Sequence, residues 1–209
     1  MAHTFASKDF KQLHKYLYTS FDFVSFISIP LAFGLSAVAP KFAIWFMGKE
    51  FAVTGQLISV LSIVIVLIAW SNVIGTQYLL PTSQTRQYTA SVTLGAIVNL
   101  LLNVWLINQF DVMGAVIATV LSELAVTVVQ IYFIRKQIRV VKLVKGIWKY
   151  LTAGFIMYLV VKYMNQNQQG NFVDFVIQAV IGVIIYMVLS LILKAPFIVT
   201  TVEFIKSRR

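Results

Sequence analysis

The chain has 209 residues, 59% hydrophobic and only 11% charged, with no cysteine and a formal net charge of +10. A soluble domain carries about 25% charged residues, so this composition excludes an ordinary soluble globule and points to an integral membrane protein. The lack of cysteine excludes a disulfide framework and thiolate chemistry, and the positive charge, which would suit nucleic acid, is accounted for by its placement along the chain.

Residues 1–20 hold neither a signal-peptide pattern nor a spanning segment. Phe5, Phe10, Leu13 and Leu17 are set among Lys8, Lys11 and Lys15. That pattern predicts an amphipathic helix lying in the membrane interface, basic side to the headgroups. Six apolar segments come next, at about 21–40, 57–80, 89–107, 112–134, 147–164 and 172–195. Each approaches the ~20 residues that a ~30 Å hydrocarbon core requires. Their connections are short, so the expected fold is all-α: one bundle of about six transmembrane helices over 21–195, with a basic tail over 196–209.

The first span contains Pro30 and Gly34. Proline removes a backbone donor and favours a kink, so the pair is either a hinge or a proline of the kind membrane helices tolerate. The stretch Phe46–Phe51, FMGKEF, reads as a glycine turn with aromatics at the interface. In the second span Asn72 and Thr76 lie one turn apart. They either face a polar cavity or bond to a neighbouring helix.

The third and fourth spans form a helical hairpin joined by Asn108-Gln109-Phe110-Asp111. Thr93, Asn99 and Asn103 mark one side of the first arm. Thr119, Glu123, Thr127 and Gln130 mark a narrow stripe on the second. A carboxylate in mid-span costs roughly 2.5–3.5 kcal/mol on insertion scales. Glu123 is therefore expected to face protein or water, either bonded to Asn or Thr on a neighbouring helix or serving in gating, proton coupling or substrate contact. Beside that stripe, Gly114, Ala118 and Ser122 form a small-residue ridge suited to close helix packing.

Basic residues recur every three or four positions from Arg135 to Lys145. This segment is either an interfacial helix anchoring the bundle or a specific site for a diphosphate lipid. Asn165–Asn171 reads as an uncharged outer turn. The last span is apolar nearly all round apart from Gln178 and Tyr186, and is expected to face lipid over much of its surface.

With six spans, one side of the membrane holds Lys8, Lys11, Lys15, Arg86, the six cations from Arg135 to Lys149, and Lys194, Lys206, Arg208 and Arg209. The other side holds only Lys41, Lys49 and Lys162. The positive-inside rule then places both termini in the cytoplasm, with anionic headgroups as partners for the cations.

No enzyme pattern is present. His3 and His14 lie in the amphipathic start with no other ligand type clustered near them, and there is no HExxH, GxSxG or GxxxxGK[ST]. No catalytic residue, metal site or cofactor is expected. Coupling to a proton or sodium gradient stays open through Glu123.

The run Leu94-Gly-Ala-Ile-Val-Asn99-Leu-Leu-Leu-Asn103, the short turn, and Gly114-Ala-Val-Ile-Ala118-Thr119 with Glu123 resembles polysaccharide flippases of the O-antigen and teichoic type. These belong to the multidrug/oligosaccharidyl-lipid/polysaccharide exporter superfamily. Ile29-Pro30-Leu31-Ala32 and FMGKEF are similar to the family's "PLA" helix and "FG-acidic" turn. Met1-Ala2-His3 and the basic segment after it resemble the family's chain just past a preceding span. The resemblance covers essentially the whole chain. It implies two helical lobes around a central cavity in the bacterial cytoplasmic membrane, moving undecaprenyl-diphosphate-linked oligosaccharide by alternating access. This chain would be the C-terminal lobe, with Met1 internal and a missing N-terminal lobe or second half as partner. Asn72, Asn99, Asn103, Thr119, Glu123 and Gln130 are expected to line the cavity. The family's cavity is often basic, whereas no Lys or Arg sits deep in a span here. Drug or metabolite extrusion and a non-transporting scaffold of a polysaccharide assembly complex are the alternatives.

Overall fold

A computed structural model of the chain describes the backbone of residues 9–206 and the side chains of 9–201. Residues 1–8 of the expected interfacial segment, with His3, Phe5 and Lys8, and residues 207–209 of the tail lie outside the described residues. All regular structure among the described residues is helical. In order it comprises α1 (Phe10–Met47), α2 (Ala52–Leu61), α3 (Ile63–Ile74), α4 (Thr85–Ile134), α5 (Val140–Val144), α6 (Ile147–Asn167), α7 (Phe172–Ile192) and α8 (Pro196–Lys206). A single 3-10 turn, Lys49–Phe51, enters α2, and a π-helical turn, Gly75–Leu79, closes α3. Among the described residues five stretches are long and apolar enough to cross a membrane: α1, Lys49–Leu79, α4, Val140–Asn167 and α7. This is the pattern of a multi-pass membrane protein. The chain clusters into two compact units, Met1–Ser25 with Val66–Lys145, and Phe26–Ile65 with Gly146–Arg209.

In the first unit, α1 begins where the Asp9 carboxylate accepts the Gln12 N–H at 3.0 Å, an N-terminal cap. No boundary appears at residue 20, where the interfacial segment was expected to end. Neither Gly nor Pro occurs between Phe10 and Ile29, so nothing interrupts the helix near residue 20, and it continues to Met47, 38 residues in all. Leu13, Leu17 and Phe21, four apart on one stripe, are at most 1% exposed. That stripe is covered by protein.

The 50-residue α4 would span about 75 Å if straight, more than twice a bilayer's hydrocarbon core. It folds back at Asp111, whose φ of 49° and ψ of −133° leave helical space for one residue. The expected four-residue turn is thus a one-residue reversal at its last position. The two arms lie so close that a Cβ on Gly114 would run into the Leu106 carbonyl, and one on Gly95 into the Val126 side chain. After α4 the basic segment is not one helix. It turns at Arg135–Gln137, extends at Arg139 (φ −85°, ψ 94°), and re-enters a helix only for the five residues of α5.

In the second unit, α1 carries Pro30 and Pro40 without breaking. Each proline deprives the carbonyl four residues back of its helical donor. Both carbonyls are met from elsewhere. The Tyr186 hydroxyl of α7 donates to the Phe26 carbonyl at 2.8 Å, and the Ser59 hydroxyl of α2 shares its one proton between the Ser36 carbonyl at 3.0 Å and the Gly55 carbonyl of its own helix at 2.9 Å. α2 comes this close because residue 55 is glycine: a Cβ there would sit 2.6 Å from Pro40 Cα. The Lys41 ammonium donates to the Gln166 and Gln168 carbonyls at 3.0 and 2.6 Å, capping the C-terminal end of α6. α7 starts with a capping box between Asn171 and Asp174. It buries Phe175, Gln178, Gly182, Tyr186 and Ser190 on one stripe and exposes apolar residues on the rest. The expected tail is ordered as α8 at its start, where Phe197 donates its N–H to Tyr150 Oη at 3.0 Å and stacks on Phe26.

Candidate functional site

The α4 hairpin sets Asn99 and Asn103 one turn apart on the first arm, opposite Ser122 on the second. Asn99 Nδ2 donates to Ser122 Oγ at 3.2 Å, and Asn103 Nδ2 donates to Asn99 Oδ1 at 2.9 Å. The Ser122 hydroxyl donates in turn to the Thr119 carbonyl at 2.8 Å. The arms are thus laced by a polar seam inside an apolar hairpin. One buried acceptor in it, Asn103 Oδ1, has no hydrogen-bond donor among the described residues. The Thr119 hydroxyl is turned to its own helix, donating to the Ala115 carbonyl at 2.9 Å.

Gln130, two turns further on, is only 1% exposed. Its Nε2 donates to Ser91 Oγ at 3.2 Å, and Ser91 in turn bonds to the Tyr88 carbonyl. The π-helical turn is seated there as well: a Cβ on Gly75 would lie 2.8 Å from the Tyr88 ring and 3.0 Å from Gln130 Nε2. Gln130 is therefore a junction between α3 and both arms of α4. Thr127 points to α3 too, with its hydroxyl 3.2 Å from the Leu67 carbonyl.

Glu123 follows Ser122 but faces elsewhere. It is half-buried, and its carboxylate has neither an ion pair nor a hydrogen bond among the described residues. Asn72 is exposed on α3, with only its backbone carbonyl engaged, by Thr76. Of the six residues expected to line a cavity, the fold joins the side chains of Asn99 and Asn103 in one seam with Ser122 and turns the Thr119 hydroxyl into its own helix. It seals Gln130 away from solvent, and leaves Asn72 and Glu123 with free polar side chains.

Pro30 and Gly34 lie in the second unit, along an apolar groove of about 510 Å³ between α1, α6 and α7. Leu31, Leu35, Met157 and Gly182 line it beside them, and Tyr186 closes one part. Gly34 is open to the groove: an added Cβ would meet only Met157 Cε, at 3.8 Å.

Sequence inspection missed Ser91 and the pairing of Tyr186 with Pro30. A serine within an apolar run carries no local signal of its partner, and the Tyr186 bond joins positions 160 apart. A mid-span proline does signal that the carbonyl four residues before it lacks its helical donor and calls for one from elsewhere. Comparison of the chain with models of known protein families, with curated proteins and with solved structures gave no match.

Proposed function

We propose that this chain forms one six-span lobe of an exporter that moves lipid-linked oligosaccharide repeat units across the bacterial cytoplasmic membrane, with both ends of the lobe in the cytoplasm. The two arms of α4 each supply a crossing, which raises the five membrane-length stretches to six. The observation that carries the proposal is Glu123, an unpaired, half-buried carboxylate at the middle of an apolar arm. Such a group is costly against lipid, and it is stable where it meets water or a polar cargo. Asn72 and Glu123 are the contacts offered to sugar hydroxyls or to a coupling cation, and the Asn99–Asn103–Ser122 seam holds the arm that presents Glu123. The flippase class itself rests on the resemblance of the Asn99-to-Glu123 run. The Tyr186 hydroxyl supplies the Phe26 carbonyl with the hydrogen bond that Pro30, lacking an N–H, does not give, so its release would free α1 to bend there during alternating access.

The test is Glu123→Gln in the native gene, with membrane abundance and export of the polymer measured together. Near-normal abundance with reduced export is expected. Normal export would remove Glu123 from the transport path.

One observation favours the scaffold alternative. Asn99 and Asn103 are committed largely to each other and to Ser122, as packing residues are. Full export after replacement of both Asn103 and Glu123 by Ala, with co-purification of a polymerase, would establish that role instead.

A further inference from the structure

The first unit carries a second polar feature, made from two segments more than a hundred residues apart. On α1, Lys11, His14, Lys15, Tyr18 and Thr19 share one face. Across from them lie Lys136, Gln137, Ile138, Arg139 and Lys142, at the exit from α4 and in α5. Together they enclose a recess of about 580 Å³. Five of its lining residues are Lys or Arg and none is Asp or Glu. None of these five cations has a side-chain hydrogen bond or ion pair among the described residues.

The recess is held open by neutral contacts. Tyr18 Oη accepts the Arg139 N–H at 3.0 Å and so fixes the extended residue that starts α5. Gln137 Oε1 accepts from Tyr78 Oη at 3.1 Å and from Gln84 Nε2 at 3.0 Å, and Gln137 Nε2 donates to Gln84 Oε1 at 2.7 Å. Ile138 is buried beneath. A loop that only anchored itself to a membrane surface through scattered lysines would need none of these ties. They hold five like charges together against their mutual repulsion.

We propose that this recess binds a phosphate-bearing anion, a monophosphate or diphosphate group. Arg139 supplies a planar fork suited to two phosphate oxygens, and the four lysines supply point charges around it. Lys11 and Lys15 alone, or the 136–142 loop alone, give only a basic face; the fold brings them to one ligand. Val141, the chain neighbour of the lining residue Lys142, is exposed, which offers an apolar contact to the chains of a phospholipid whose headgroup enters the recess. A soluble diphosphate has the same chemistry and can enter from water. Binding needs no transport activity.

The test uses the full chain in detergent and in nanodiscs. Sodium pyrophosphate binding is measured by calorimetry in detergent. Retention of phosphatidylglycerol, cardiolipin or phosphatidylcholine is measured by native mass spectrometry. Lys15→Gln with Arg139→Gln should weaken anion binding about 30-fold, from five- to six-fold for each positive charge removed near the surface. Lys49→Gln with Lys162→Gln, the same charge change at two residues that line no part of the recess, should leave it within about twofold, since salt screens surface charges that do not touch the ligand. Tyr18→Phe should also weaken binding, with an unchanged circular dichroism spectrum, because it frees Arg139 without removing charge. Saturable pyrophosphate binding without lipid assigns a free diphosphate. Retention of anionic but not neutral phospholipid, undisturbed by pyrophosphate, assigns a lipid headgroup. Equal binding by the wild type and the Lys15/Arg139 variant, or equal retention of phosphatidylcholine, overturns the site.

Discussion

Tyr186 and Pro30 offer a stringent test of how the second unit is held together. Replacing Tyr186 by Phe keeps the ring that packs 5.5 Å from Phe26 and deletes the hydroxyl. The Phe26 carbonyl then loses the donor that stands in for the missing N–H of residue 30. Tyr186 is only 3% exposed, so water does not readily replace it. An unsatisfied buried acceptor costs about 1–3 kcal/mol, whereas side-chain bonds between membrane helices average about 0.6 kcal/mol. The lower figure reflects unfolded helices that find other partners. A proline-orphaned carbonyl has no such partner within its own helix, so the expected loss is about 1–2 kcal/mol, roughly 5- to 30-fold in the unfolding equilibrium. The decisive step is to repeat the change in a Pro30→Ala background, where the substituted residue brings its own N–H to the Phe26 carbonyl. There Tyr186→Phe should cost less than about 0.5 kcal/mol, giving a coupling of about 1 kcal/mol in a double-mutant cycle. Reversible unfolding in bicelles supplies all four stabilities. Equal costs in the two backgrounds would refute the assignment of the hydroxyl to the proline gap.

Ser59→Ala should lose about 0.5–1.5 kcal/mol in the same unfolding assay through the Ser36 carbonyl that Pro40 leaves open, and the loss should shrink in Pro40→Ala. Gly114→Ala should destabilise the hairpin by about 1–3 kcal/mol, because its methyl meets Leu106 backbone that cannot move aside. Gly34→Ala should be neutral or raise stability by up to about 1 kcal/mol, since the methyl enters open space and alanine favours helix; a large loss there would contradict the groove geometry. The chain has no cysteine of its own, so Asn99→Cys with Ser122→Cys can be oxidised without background. A disulfide, or a crosslink by a short thiol-reactive linker, between the two arms, seen by proteolysis at the turn, is expected, and the absence of both would show that the arms are not paired through Asn99 and Ser122.

Several features were legible in the residues alone. The composition and the apolar runs set out a multi-pass helical protein. Asn108–Asp111 marked the reversal of α4, because three polar residues among four between two long apolar stretches leave a hairpin as the economical outcome. Asn99 and Asn103 stood out as polar residues on one side of an apolar arm and were expected to line a cavity; their bonds to each other and to Ser122 were not read from the sequence. The end of the interfacial segment at residue 20 was not legible. Lysines suggest a water-facing surface, but they do not stop a helix, and α1 continues through them.

What the amino-acid sequence determined by itself is local: which stretches are apolar enough to cross a membrane, where the chain turns, and which residues fall on one helical face. Tertiary structure alone decided the partners. In a membrane protein an apolar face does not reveal whether it meets lipid or another helix, since both are equally apolar; Val141 is 74% exposed while Ala153 is fully buried. Tyr186 reaches the gap left by Pro30, Lys41 caps α6, and Lys11 and Lys15 line one recess with Arg139 only because distant segments are brought side by side. Hydrogen bonds and charge clusters of that kind depend on position in space, and periodicity along the chain carries no record of it.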